Sequence, residues 1–228
     1  MKNKKVKTMM AGLWMLMMVV VIAGCSKDSL EEVDQLNSAR EEMELKSRNN
    51  NQNAAQNQLL AQLRRATAKY HNLEVALADG YELDPHCVEH PVYGAMGQHA
   101  VNMDRIVPFV VPLEPGVLVY EATEEGDYKL VAAEYLVPAE PWDAMNDGPP
   151  MFGQIEFDDH REIIFVPDLD DDGNQQFDEE GNLLLKPVNA KGGPAFPHYQ
   201  LHVWVWKNNP LGMYFPFNPK VTCEFAQH

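Results

Sequence analysis

Apolar residues between positions 59 and 77 recur in alternating steps of four and three, as they do along one face of an amphipathic helix. The pattern predicts one helix of about six turns. Gly80 is its expected C-terminal stop. The apolar positions are Leu59, Leu63, Ala66, Tyr70, Leu73 and Leu77.

Beyond Gly80 the helical period disappears, prolines become frequent, and apolar runs of strand length follow one another. The turn sequence Glu124–Asp127 between the first two runs predicts a hairpin. One helix followed by several strands with long loops favours an α+β domain built on an antiparallel β-sheet or a small β-barrel. The predicted strands are Gly116–Glu121, Tyr128–Val137, Phe152–Phe157, Glu162–Val166 and Tyr199–Trp206.

The N-terminal residues have the layout of a secretory signal. Lysines between Lys2 and Lys7 precede an apolar run from Met9 to Ala23, which is short for a membrane span. The run ends in Ala-Gly before Cys25, which resembles the lipobox of bacterial lipoproteins. We therefore predict a lipoprotein signal peptide over residues 1–24 and lipidation of Cys25. The alternative is an ordinary signal peptide with an incidental cysteine.

The residue after Cys25 is Ser26. By resemblance to Gram-negative lipoproteins, a serine here indicates an outer-membrane lipoprotein, on the periplasmic face or at the cell surface. Residues 25–57 are polar and predict a flexible tether. Residues 58–228 are then expected to form one globular domain. The predicted partner is the membrane, through the N-terminal lipid, together with a small ligand or substrate that the sequence does not name.

The formal net charge of −16 bears on whether the protein binds nucleic acid. An acidic protein repels phosphate backbones, so we expect no nucleic acid to bind. Cys87 and Cys223 are the thiols left once Cys25 is lipidated, and an oxidising compartment favours a disulfide between them. Two buried free thiols are the alternative.

Two groups of histidines, in the loop His86–His99 and at His198–His202 of the last predicted strand region, suggest a metal site together with one carboxylate. His198 and His202 share a strand face with Trp204 and Trp206. Glu134 lies on an apolar strand face, where a carboxylate is costly unless it is paired, hydrogen-bonded or metal-bound. Two histidines and a carboxylate suit a mononuclear Fe, Mn or Zn site. The predicted ligands are His99, Glu134 and His202, with His198 as a fourth.

The alternative to a metal site is structural. In that interpretation Glu134 pairs with Arg105 or a backbone amide, and the histidines are hydrogen-bonded residues of the core or its rim. His71 is expected at the edge of the helix stripe, and His160 in a loop.

An acidic segment from Asp168 to Glu179 satisfies the D-x-D-x-D-G-x5-E pattern of calcium loops. Its carboxylates would converge on one cation, and Gly173 would allow the sharp turn. Against calcium, the segment before the loop has the pattern of a strand, where a helix is usual. The alternative is a solvated acidic loop that binds no cation. The predicted calcium ligands are Asp168, Asp170, Asp172, Asn174 and Glu179.

Three stretches together resemble a family of uncharacterised secreted or lipid-anchored proteins of bacteria and some fungi. They are Ala66–Tyr81, Gly94–His99 and Leu201–Met213. The resemblance covers roughly residues 58–223. It implies no established activity, but it supports the domain boundaries and singles out His99 and His202. Ala95 departs from the expected second glycine, and the Asp168–Glu179 loop looks like an insertion.

Taken together, the sequence predicts a lipid-anchored cell-envelope protein whose α+β domain holds a His/Glu pocket for a metal or small ligand. One alternative is a mononuclear-metal enzyme resembling cupins, with Trp204 and Trp206 shaping the substrate cavity. A second is a structural or interaction module without a site. Convergence of the three ligands in the structure would favour the His/Glu pocket or the metal enzyme over the module without a site.

Overall fold

A six-stranded antiparallel sheet, curled into a half-barrel, organises the α+β domain. The computed structural model describes residues 51–170 and 172–226. The signal segment, Cys25 and most of the predicted tether therefore lie outside the described residues. The strands are β1 (Glu82–His90), β2 (Gly94–Val101), β3 (Val117–Ala122), β4 (Tyr128–Pro138), β5 (Met151–Phe152), β6 (Ile155–Glu156), β7 (Asp158–His160), β8 (Ile163–Pro167), β9 (Leu185–Asn189) and β10 (His198–Val203).

The six strands lie in the order β1-β2-β3-β4-β10-β7. The first four follow one another as antiparallel neighbours, and β10 returns from the end of the chain to pair with β4. The two remaining pairs, β5 with β6 and β8 with β9, form separate two-stranded sheets. The strand β10 thereby brings His202 beside Glu134, from which it is distant in the linear sequence.

Helices cover one face of the sheet. Residues 51–67 are helical (α1), followed by a 3₁₀ turn Ala68–His71 (η1) and a short helix Leu73–Ala78 (α2). Leu60 and Leu63 pack with Tyr135, Leu201 and neighbouring residues of β4 and β10. Two further short helical segments, η2 (Met103–Arg105) and α3 (Ala139–Asp143), follow β2 and β4.

The single helix predicted over residues 59–77 is interrupted. Asn72 has an extended backbone (φ −92°, ψ 111°), and its side chain accepts a hydrogen bond from the backbone N–H of Glu74. That capping bond begins a new helix, so the apolar stripe is divided between two hydrophobic clusters. Residues 51–57, assigned to the tether from the sequence, are helical.

The opposite face of the sheet packs against the C-terminal segment. Ala95, Val119 and Ala132 contact Trp204, Val221 and Cys223 there. Because β3 and β4 are covered on both faces, almost every one of their residues is buried. Their continuous apolar runs are typical of such strands, and both were predicted to within one residue at each end.

The predicted Cys87–Cys223 disulfide is present, with the two Cα atoms 5.6 Å apart. It joins β1 at the sheet edge to the C-terminal segment. Among the described residues, no helix has the length and apolarity needed to cross a bilayer.

Candidate metal centre

Three strands supply the residues of the centre. His99 lies on β2, Glu134 on β4 and His202 on β10. Glu134 pairs directly with His202 across β4 and β10, whereas β3 separates it from His99. In a flat sheet the backbones of β2 and β4 would be about 9 to 10 Å apart. The curl of the sheet tips the two side chains towards each other over Val117 and Val119.

The three side chains converge on one point. Nε2 of His99 lies 3.3 Å from Oε2 of Glu134, and Nε2 of His202 lies 3.5 Å from the same oxygen. One ligand atom from each residue falls within 4.8 Å of the other two. Ligands bound at about 2.1 Å to one ion lie roughly 3 to 3.5 Å apart when adjacent, and the two contacts to Oε2 of Glu134 have this spacing.

Burial makes this arrangement costly without a further partner. The side chains of Glu134 and His202 are 4% and 1% exposed, and that of His99 is 16% exposed. Within residues 51–170 and 172–226, Oε2 of Glu134 and Nε2 of His202 are buried without a hydrogen-bond partner. Buried polar atoms normally have partners. Oε2 and Nε2 are two of three such side-chain atoms among the described residues, the third being Oε1 of Gln98, and a cation between these two would supply what they lack.

The charges of the group depend on one another. Burial opposes ionisation of Glu134, but the two imidazoles outweigh it and hold its pKa at about 2. Burial also disfavours a charge on His99, yet the carboxylate of Glu134 raises the net pKa of His99. Burial lowers the pKa of His202 more than Glu134 raises it. At neutral pH the carboxylate is therefore ionised and His202 is neutral, the states in which both bind metals.

The centre opens into a cavity of about 710 Å³. His99 and Glu134 are part of its lining, so a bound ion would face the cavity rather than the core. Polar side chains lining it besides these two are Asp84, His86, Asp158, His160, Lys191 and Gln200. A cavity of this size accommodates a small organic molecule.

His198, the predicted fourth ligand, lies outside the convergent group. Its Nδ1 contacts the carbonyl oxygen of Phe196 at 2.7 Å, and its Nε2 contacts the side-chain amide of Gln200 at 3.1 Å. Both nitrogens are therefore occupied within the protein. Four residues before His202 on β10, His198 stands about 13 Å further along the strand.

The pairing of Glu134 with Arg105, one form of the structural alternative, is not observed. Arg105 donates a hydrogen bond to the hydroxyl of Tyr81. The ion-pair neighbours of Glu134 among the described residues are His99 and His202. The carboxylate therefore faces two imidazoles, and the arginine lies elsewhere.

Neither tryptophan lines the cavity, contrary to the enzyme hypothesis. Strand β10 ends at Val203; Trp204 still packs on the face of Val119 and Ala132, whereas Trp206 packs against the helix-covered clusters. The indole N–H of Trp206 donates to the Thr67 hydroxyl in the helical layer, and that of Trp204 donates to the Phe215 carbonyl. Both indoles stabilise the packing on either side of the sheet.

The acidic segment does not reproduce the geometry of the His/Glu centre. Asp168 lies 3.2 Å from the ammonium of Lys186, and the carboxylate of Asp170 accepts hydrogen bonds from the backbone N–H groups of Asp172 and Asn174. Among the described residues, no three carboxylates of this segment have ligand atoms as close as those of the centre. The segment links two strands, β8 and β9. Calcium binding stays a prediction.

Several cavity residues were not predicted as ligands from the sequence, although His86 belongs to the predicted histidine loop. Asp84 and His86 lie where the pairing of β1 with β2 is interrupted between Leu83 and Cys87. His160, expected in a loop, is a buried residue of β7. Irregular pairing leaves no periodic signal in a sequence, and β7 is only three residues long.

Comparison with protein-family models, curated proteins and solved structures found no match to this chain. The resemblance noted from the sequence motifs is therefore a proposal, and the functional argument depends on the geometry of the site.

Proposed function

We propose that this protein binds one divalent transition-metal ion through His99, Glu134 and His202, and that the ion presents open coordination positions to a small molecule in the cavity. The single observation that carries the proposal is the convergence of three ligand atoms, two of them buried without hydrogen-bond partners, at the wall of a 710 Å³ cavity.

The donor set favours Fe, Mn or Zn. Two imidazole nitrogens and one carboxylate oxygen suit these ions, whereas calcium prefers six or more oxygen ligands. Three protein ligands are fewer than any of these ions takes, so water or a ligand completes the coordination. The partly exposed side chain of His99 marks the side from which that ligand approaches.

A mononuclear-metal enzyme is the second candidate, and the cavity is the observation that favours it. A storage site encloses its ion fully, whereas this centre borders a space large enough for a substrate. A metal here would polarise a carbonyl oxygen or lower the pKa of a bound water. A structural module would explain the group as a buried ion pair, but would leave Oε2 of Glu134 and Nε2 of His202 without hydrogen-bond partners.

We also propose that the domain is held at the cell envelope. The support is in the sequence: an n-region, a short apolar run and a lipobox-like end at Cys25, followed by a polar segment. The small ligand would then come from the periplasm or from outside the cell, and the membrane would be the protein's partner through its lipid.

Elemental analysis by mass spectrometry tests the metal proposal. The full chain is purified in non-ionic detergent without a histidine tag or chelator, then incubated with Zn²⁺, Mn²⁺ or Fe²⁺ and desalted. We expect about one ion per chain in the wild type and a loss of at least tenfold in His202→Ala.

His71→Ala is the matched control, because His71 is exposed and packs its ring edge against Trp206, away from the centre. It should retain the wild-type metal content. No metal in the wild type after incubation, or equal content in His202→Ala, would refute the proposed centre. Far-UV circular dichroism of each variant separates metal loss from unfolding.

A further inference from the structure

We propose that residues 163–189 form an arm that docks a cationic polypeptide segment with apolar side chains. The arm consists of β8, β9 and the segment that connects them, and it lies outside the six-stranded sheet. The inference uses none of the metal ligands, so it holds or fails independently of the proposed metal centre. It follows from an uncovered apolar face on the arm and from the charge around that face.

One face of the β8–β9 pair is apolar and exposed. Phe165 pairs with Pro187, and Pro167 pairs with Leu185. Paired residues point to the same face, and residues two apart along a strand share it, so these four side chains form one surface. All four residues are exposed, Phe165 by 67% and Leu185 by 53%. We call these four residues the arm face.

The arm face lacks the packing partner that a two-stranded sheet needs. A β-hairpin alone is marginally stable at best in water, and a further strand or a packed layer normally completes it. Among the described residues, the three hydrophobic clusters of the domain include no residue of β8 or β9. On the opposite face of the pair, Val166 and Val188 are half-buried. The arm face is therefore the more open of the two, and a partner would pack on it.

The connecting segment adds exposed apolar side chains. Phe177 is 56% exposed, and the three leucines Leu169, Leu183 and Leu184 are between 37% and 45% exposed. Since an aromatic side chain has roughly 150 to 250 Å² of surface, Phe165 and Phe177 together expose about 200 Å². The largest apolar patch of a monomeric protein is about 300 to 600 Å² and is often functional. Apolar exposure on this scale indicates an interaction surface.

The charge of the arm specifies the partner. Lys186 is the one basic residue in the sequence from 163 to 189, and its ammonium group lies 3.2 Å from Asp168. Hydrogen bonds from neighbouring backbone and asparagine N–H groups lower the pKa of Asp170 and Asp178, so both carboxylates are ionised at neutral pH. A partner of positive charge complements this surface. The described acidic residues of the arm are Asp168, Asp170, Asp172, Asp178, Glu179 and Glu180.

The same charge argues against two other occupants of the arm face. Two copies of the arm would bring their carboxylates together, and like charges across an interface oppose association. The anionic surface of a bilayer would repel the arm in the same way. A cationic polypeptide meets no such repulsion, and its apolar side chains would cover Phe165 and Leu185.

The arm joins the domain at the rim of the cavity. Asp158 and His160 precede the arm, Gly192 and Pro194 follow it, and all four line the cavity. The side-chain amide of Asn189 donates a hydrogen bond to the carbonyl oxygen of His160, which fixes the base of the arm. A polypeptide bound to the arm is thereby held by an element that begins and ends at the cavity.

Fluorescence anisotropy with labelled synthetic peptides tests the inference. The full chain, in non-ionic detergent and calcium-free buffer, is titrated into a peptide of about twelve residues in which Lys and Val alternate, and a titration of detergent alone is subtracted. We expect saturable binding that weakens at least about fivefold between about 0.05 M and about 0.5 M NaCl. Peptides that alternate Lys with Ser, or Glu with Val, should bind at least about tenfold more weakly, because each lacks one of the two features.

A double variant locates the binding. Phe165→Ser combined with Leu185→Ser removes the exposed side chains of the arm face, and binding of the Lys/Val peptide should weaken at least about tenfold. Phe109→Ser combined with Leu113→Ser is the matched control, because both residues are exposed and lie outside the arm. The control should bind the peptide like the wild type. Far-UV circular dichroism verifies that both variants are folded.

The inference is overturned if the Lys/Val peptide does not bind the wild type, if the Lys/Ser peptide binds as tightly, or if the arm variant binds like the wild type. Light scattering after size-exclusion chromatography, corrected for detergent, gives the mass of each protein. A dimeric wild type that becomes monomeric in the arm variant would show that a second copy covers the arm face, which also overturns the inference. Metal content does not enter this test, so its failure leaves the metal centre untouched.

Discussion

Replacing Cys87 and Cys223 with serine removes the cross-link between β1 and the C-terminal segment. The cross-link closes a loop of 136 residues. In the chain-entropy relation a loop of this length restricts the unfolded chain by about 17 cal/mol/K, which is about 5 kcal/mol of stability at 25 °C. A domain of ordinary stability has about 5 to 15 kcal/mol in total. The double variant should therefore lose a large part of its free energy of unfolding.

Urea unfolding followed by tryptophan fluorescence measures this loss. With an m-value of about 2 kcal/mol/M, the midpoint should fall by about 2 M or more. Wild-type protein treated with dithiothreitol should have the same urea midpoint as the double-serine variant. This comparison shows that the loss comes from the broken disulfide and not from the serine substitutions. A loss below about 1 kcal/mol would refute the reasoning, because the unfolded chain would then not gain the freedom that the loop length implies.

The disulfide also bears on the site. Cys87 lies between His86 and Val88, both of which line the cavity. Cys223 belongs to the segment that packs against Val119 and Ala132 of the sheet, and Val119 pairs with His99.

Two further predictions concern the carboxylates. In chelator-treated protein, Glu134 should stabilise the fold fully above its ordinary pKa of 4.5 and lose that effect as the pH falls towards 2, because its folded pKa is depressed to about 2. The contribution of ionised Glu134 to the free energy of unfolding is about 3 kcal/mol. Urea unfolding of the wild type and Glu134→Gln at several pH values should show this difference between the two proteins. Parallel dependence of their stabilities on pH would contradict it. Asp170→Ala should abolish any calcium-dependent rise in melting temperature, and a wild type whose melting temperature ignores calcium would remove the calcium hypothesis.

Local sequence determined much of the sheet. The apolar runs of β3 and β4 are long enough, and rich enough in β-branched and aromatic residues, to predict strands without knowledge of their neighbours. The cysteine pair was predictable by elimination, because few thiols were available. In contrast, β2 contains two glycines, and its strand conformation depends on pairing with β1 and β3 on either side.

The residues of the centre were named from the sequence, but their convergence was not contained in it. Alternation along a strand shows which side chains share a face, and so predicted Glu134 and His202 as inward-facing residues. Whether His99 reaches Glu134 across β3 depends on how strongly the sheet curls, a property of all its strands together.

Two sequence predictions were wrong because they took account of strand faces but not of where a strand ends or how far apart its residues lie. Alternation was extended past Val203, where β10 ends, so Trp206 was placed on the wrong side of the sheet. His198 was assigned to the centre from its shared face, although strand rise separates it from His202 by about 13 Å. Sequence by itself determined the central strands β3 and β4 and the types of side chain on their faces. The tertiary structure decided which of those side chains meet, because strand curvature and strand ends are set by contacts between residues distant in the chain.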